Sequence, residues 1–183
     1  VIRGVVMELE HIYEIVNNEE LNYDELLFFY KKYLIFRLKE LKSLPSYESD
    51  INYYLTNSMY TNCYAYALRL SIPQFFNENF YRLTGNYFNF IPGIFSYKKY
   101  PKNAKLLLDN LKSDLNSLEI KNLGYRIAVL TEIKVFDGER DFHFIRENIC
   151  GNWSQKIGRS ELIEKSSYID VPNNYDLIKI LKI

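Results

Sequence analysis

The chain has 183 residues, 23 of them basic and 23 acidic, for a formal charge of zero, which excludes the basic footprint of a nucleic-acid binder. With 48% hydrophobic and 25% charged residues it reads as one globular domain, residues 1–183, long enough to bury a core. Two cysteines, Cys63 and Cys150, make no disulfide framework, and the most apolar run, Leu26–Phe36, is broken by Lys31 and Lys32 and too short to span a bilayer. The opening residues lack the basic and apolar regions of a secretory signal, so a cytoplasmic location is the default expectation and Met7 a candidate start. Seventeen Tyr and twelve Phe, beside abundant Ile, Lys and Asn, are what an AT-rich genome produces, so aromatic content alone carries no functional signal.

Residues 7–17 read as a short amphipathic helix. A longer one follows: Asn22 is placed to cap it, Glu25 stands at capping-box spacing, and Pro45 ends it. Its apolar positions cover more than one face, as in a largely buried helix. Residues 45–62 are polar and turn-rich and lead into a helix over 63–70 that Pro73 closes. The aromatic, Asn-, Gly- and Pro-containing stretch 74–101 reads as a long irregular loop, a kind more often functional than idle. Leu107, Leu108, Leu111, Leu115 and Leu118 mark a helix over 103–118. The period then changes to two. Residues 125–136, 141–148 and 152–157 read as three strands, the first two joined by a turn at 137–140, and residues from 173 or 174 to 182 as a short helix. Helices first and an antiparallel meander after them make an α+β domain.

Two residues in this frame carry chemistry. Cys63 begins a helix, where backbone N–H groups and the helix dipole favour a thiolate. His143 lies mid-strand between Phe142 and Phe144, so alternation sends it to the opposite face of the sheet from both rings. A cysteine and a histidine within reach form a thiolate–imidazolium pair for nucleophilic catalysis, with reactivity expected near pH 6. The free N–H groups of Cys63 and a neighbour would supply an oxyanion hole, and a third polar group must orient the imidazole. His11, on the first helix, reads as a surface residue. Asp141 shares the face of His143 but reads as a solvated turn acid. Cys150 reads as a loop thiol and Trp153 as a packing residue. A zinc site from Cys63, Cys150 and His143 lacks paired spacing and a fourth ligand.

The helix-initial "NCYAYAL", the strand "DFHF" and the following "GNWSQKIG" resemble papain-like cysteine hydrolases of the NlpC type over residues 53–158. The resemblance implies a thiol-bearing helix packed on a small antiparallel sheet, within a core of 51–160 preceded by a helical segment, 1–50, and followed by a C-terminal segment, 161–183. It implies catalytic Cys63 and His143, with a polar orienter on the strand after the histidine. Gln155, twelve positions on from His143, takes that place, with Asp170 and Asn152 as rivals. The family's common D-C-S-G is N-C-Y-A here, so Asn62 replaces an acid and Tyr64 a small residue. Tyr53, Tyr54 and Tyr60 are candidates for the tyrosine the family carries upstream of its thiol.

The implied activity is hydrolysis or acyl transfer at an amide or ester, with a peptide, amide or acyl substrate and neither metal nor organic cofactor. Cell-wall peptides are the superfamily's commonest substrates, beside those of proteases, deamidases and acyl transferases. The alternative is an interaction or structural protein that keeps the fold with Cys63 inert.

Overall fold

The computed structural model describes residues 2–41, 43–134 and 140–183, with side chains from Leu9 onward. Among these residues six α-helices precede a five-stranded antiparallel sheet, an α+β architecture. The first two helices, α1 (Ile2–Asn18) and α2 (Tyr23–Glu40), stand where the sequence pattern puts them. At the start of α2 the Asn22 side chain accepts from the Glu25 N–H at 3.0 Å, and the Glu25 carboxylate accepts from the Asn22 N–H at 2.9 Å. The capping box therefore closes in both directions. His11 is exposed on α1.

Two stretches expected to be irregular contain helices. Residues 45–62 hold α3 (Tyr47–Thr56), capped by Ser46, and a 3₁₀ turn, Ser58–Tyr60. The expected loop 74–101 opens with α5 (Gln74–Thr84), which buries Phe76 and Phe80 four positions apart and ends at Gly85, φ 72°. Intervening Asn and Glu residues dilute that stripe in the sequence. Only 86–101 is irregular, around a 3₁₀ turn at Ile94–Ser96. The cysteine helix α4 (Cys63–Leu68) is buried along its whole length, and α6 (Ala104–Ser117) follows the leucine spacing.

The sheet contains β1 (Arg126–Glu132), β2 (Phe142–Glu147), β3 (Trp153–Lys156), β4 (Ile163–Ser166) and β5 (Tyr175–Lys182), in spatial order β4-β3-β2-β1-β5. Most of the expected β1–β2 turn lies outside the described residues. The expected C-terminal helix is strand β5, seven of whose eight residues pair with β1. Its register shifts opposite Val129 and Leu130, so Ile178 is skipped and the two-residue alternation breaks. That bulge gives Leu177, Ile178, Ile180 and Leu181 a helix-like spacing. Strand β4 had no sequence expectation at all; with β5 it places both edges of the sheet after residue 160.

The helices cover one face. Tyr64 of α4 lies 5.0 Å from the Phe144 ring, over a floor of Ile127, Val129 and Phe142. Tyr30 of α2 is the hub of the aromatic core, with Phe76 at 4.9 Å and Phe88 at 5.0 Å between ring centres. The surplus of Phe and Tyr is therefore largely packing material. Buried Asp114 of α6 joins the layers by accepting from Tyr64 Oη at 3.0 Å, the Gly93 N–H at 2.7 Å and Ser96 Oγ at 2.7 Å. Burial raises its pKa, while these donors oppose the rise. The opposite face carries a smaller cluster, Ala128, Leu130, Ile145 and Trp153, covered by Ile169 and Val171. No helix among the described residues is long and apolar enough to cross a membrane.

Candidate active site

Asn62 fixes the start of the cysteine helix. Its Oδ1 accepts from the Tyr64 and Ala65 N–H groups, both at 3.1 Å, and its Nδ2 donates to the Phe90 carbonyl at 2.7 Å. The cap therefore occupies two of the N–H groups expected to be free for an oxyanion. Among the described residues, the Cys63 N–H is the main-chain donor left at this helix start.

Cys63 is 4% exposed. Strand β3 pairs with β2 only from Ile145 to Glu147, so the edge of β2 before Ile145 has no strand beside it. The thiol fills this gap, donating to the Phe142 carbonyl at 3.9 Å. Burial pushes the thiol up to about 12, and the N–H groups of Phe144 and Tyr64 only partly offset that rise. No hydrogen bond joins Cys63 to His143 among the described residues. The two side chains share the wall of one cavity of about 520 Å³, into which Asn89, Ile91 and Tyr100 of the irregular stretch also project.

His143 and Gln155 are in direct contact. Gln155 Oε1 lies 2.7 Å from His143 Nε2, while Gln155 Nε2 donates to Glu164 Oε2 at 3.0 Å and to the Asp170 carbonyl at 3.5 Å. The Glu164 carboxylate accepts only, so it takes the amide's N–H and turns the Gln155 oxygen toward the ring. His143 must then donate from Nε2, which leaves Nδ1 as its basic nitrogen. The rivals do not orient the ring: Asp170 offers Gln155 a carbonyl, and Asn152 Oδ1 accepts from Asn148.

Burial lowers the His143 pKa below the ordinary 6.5, against smaller upward pulls from Gln155, Asp141 and Glu164. The expected thiolate–imidazolium pair is thus corrected. Burial at both ends makes the resting pair a neutral thiol and a neutral imidazole, because separating charge here would desolvate both ions.

Asp141 accepts from the Phe142 N–H at 2.8 Å and from Tyr175 Oη at 2.6 Å. It caps a strand and does not touch the imidazole, whose nearest ring is Tyr175 at 5.8 Å. Of the upstream tyrosines, Tyr53 accepts from the Ile72 N–H and Tyr54 donates to Ala65 and Leu70 carbonyls, while Tyr60 stacks edge-on with Tyr87. None of the three lines the cavity; Tyr100 and Tyr175 do. Cys150 is exposed in the β2–β3 turn, and no cluster of three metal-ligating residues occurs among the described residues.

The pH dependence follows from these directions. A reaction that needs neutral His143 should be near its maximum by neutral pH and fall only below 6.5, with no alkaline limb from a thiol at about 12. Iodoacetamide labelling of Cys63 should accordingly be slow at about pH 6 and rise through the alkaline range. Labelling at pH 6 as fast as at pH 8 would refute the neutral pair.

Compared with protein-family models, with curated proteins and with solved structures, the chain has no match.

Proposed function

We propose that the protein is a cysteine-dependent hydrolase or acyl transferase of papain-like, NlpC-type design, acting on an amide or ester bond. The observation that carries this reading is the relay Glu164–Gln155–His143, which leaves Nδ1 basic on the wall of a cavity that also holds a helix-start thiol. A histidine kept only for packing needs no such control of its tautomer.

In the proposed reaction the Cys63 side chain turns from the Phe142 carbonyl toward the cavity. His143 Nδ1 takes the thiol proton as the sulfur attacks the substrate carbonyl carbon. The carbonyl oxygen becomes an oxyanion that the Cys63 N–H stabilises. As the tetrahedral intermediate collapses, the leaving amine or alcohol takes the proton from the imidazolium, and a thioester remains on Cys63. Water or a second nucleophile, deprotonated by the same Nδ1, then releases the acyl group. Gln155 holds the imidazole through both steps, as an uncharged positioning residue.

A second reading has an observation of its own. The 4% exposure of Cys63 and its place among apolar neighbours suit an inert core cysteine in an interaction or structural protein. Incubation with p-nitrophenyl acetate separates the two. Hydrolase chemistry predicts acetyl transfer to Cys63 ahead of exposed Cys150, seen by peptide mass spectrometry. Acetylation at Cys150 alone would favour the inert protein.

A further inference from the structure

Part of the wall of the cavity that holds the thiol is built by the β3–β4 turn, and a buried lysine holds that turn. The Lys156 side chain is fully buried, and its Nζ donates to three backbone carbonyls: Gly158 at 2.7 Å, Ser160 at 2.9 Å and Ser58 at 3.3 Å. Among the described residues no carboxylate pairs with it, and burial lowers its pKa to about 8. An ammonium buried against carbonyls alone costs stability. In return it clamps residues 158–160 to the 3₁₀ turn that precedes Cys63.

The clamped turn presents one charged side chain to the cavity, Arg159. Its Nη2 donates to Asn89 Oδ1 at 3.0 Å, in the irregular stretch that also lines the cavity. Among the described residues its guanidinium has no carboxylate partner. The one acid in the lining, Asp141, already accepts from Tyr175 and from the Phe142 N–H. Much of the rest is apolar or aromatic, including Ile91, Phe142, Ile157 and Pro172. The cavity rim thus carries one cation without a carboxylate partner among the described residues, hydrogen-bonded to Asn89 beside apolar walls. Such a cation at the exposed rim of a cavity attracts anions, and a guanidinium fits a carboxylate in a two-toothed contact.

We propose that Arg159 determines specificity at this cavity and that the acyl substrate carries a carboxylate close to the bond that reacts. The proposal rests on the Cys63 reading for its substrate, although the carboxylate preference can be measured without turnover. Iodoacetate and iodoacetamide alkylate a thiol by the same displacement: the S–C bond forms, iodide leaves and the thiol proton is lost. They differ in charge. The measurement is the iodoacetate-to-iodoacetamide rate ratio at Cys63, with Cys150 of the same sample as reference, read by peptide mass spectrometry.

Arg159→Gln is expected to lower the ratio at Cys63 roughly tenfold, the scale of one charge-assisted contact, and to leave the ratio at Cys150 unchanged. Arg159→Lys should retain part of the preference, and added salt should weaken it in the parent. Arg159 is exposed, so these variants should fold. An unchanged ratio in Arg159→Gln would overturn the proposal while leaving the thiol site standing. Failure of both reagents at Cys63, with Cys150 labelled, would overturn it too, by showing the cavity closed to ligands. A lowered ratio in a protein without hydrolase activity would uphold the carboxylate site and remove only the catalytic reading.

Discussion

Cys63→Ala is expected to abolish acyl transfer from p-nitrophenyl acetate at this site, and His143→Ala to slow it by about 10²–10⁴-fold, the usual worth of a positioned general base. The histidine effect should be large because the thiol lies far from ionising unaided, at about 12. Removing the base leaves a neutral thiol with no local proton acceptor. Gln155 variants grade the same effect. Gln155→Ala leaves the ring without its Nε2 partner and Glu164 without its donor, so turnover should fall with little change in the acid limb. Gln155→His should keep much of the rate, since one ring nitrogen accepts from His143 while the other donates to Glu164. Gln155→Glu sets a second carboxylate against Glu164, so one of the two acids takes up a proton, and any charge left beside His143 raises the acid limb. Acylation rates against pH for these variants decide the matter. A His143→Ala protein acylated at the parental rate would remove the base assignment.

The second large effect concerns stability. Arg146 of β2 is fully buried, pairs with Asp50 of α3 at 2.9 Å and lies 3.9 Å from the centre of the Tyr66 ring. It also donates to the carbonyls of Tyr66 and Ser46. Arg146→Met should cost about 3–5 kcal/mol, because Asp50 then keeps only Arg69, at 3.4 Å, as an ion-pair partner among the described residues. At this chain length that is roughly 6–20 °C in thermal unfolding. Arg146→Met combined with Asp50→Asn should recover part of the loss, since the stranded charge is gone. A single variant within about 1 kcal/mol of the parent would show that the pair adds nothing.

What could be read from the sequence was local. The Asn22–Glu25 box, the leucine spacing of α6, the helix start at Cys63 and the alternation around His143 each lie within a few residues of the feature they predict. The contact between Gln155 and His143 was also legible, through the spacing that the family resemblance implies between a histidine and its orienter. The rest depends on neighbours distant in the chain. Glu164 sets the amide of Gln155 from a strand too short and polar to stand out. The bulge in β5 erases its alternation, because one skipped residue exchanges the two faces. The charge state of the thiol could not be read from its position on a helix, because burial under the sheet edge outweighs a six-residue helix dipole.

The residue that starts that helix also limits what the site can become. Asparagine presents an acceptor to two helix N–H groups and a donor to the Phe90 carbonyl at once. Aspartate would cap as well but would turn an oxygen against that carbonyl. The turn that holds the sulfur and the aromatic stretch forming the cavity wall are thereby one mechanical part. Insertions that move the wall would therefore shift the start of the cysteine helix with it.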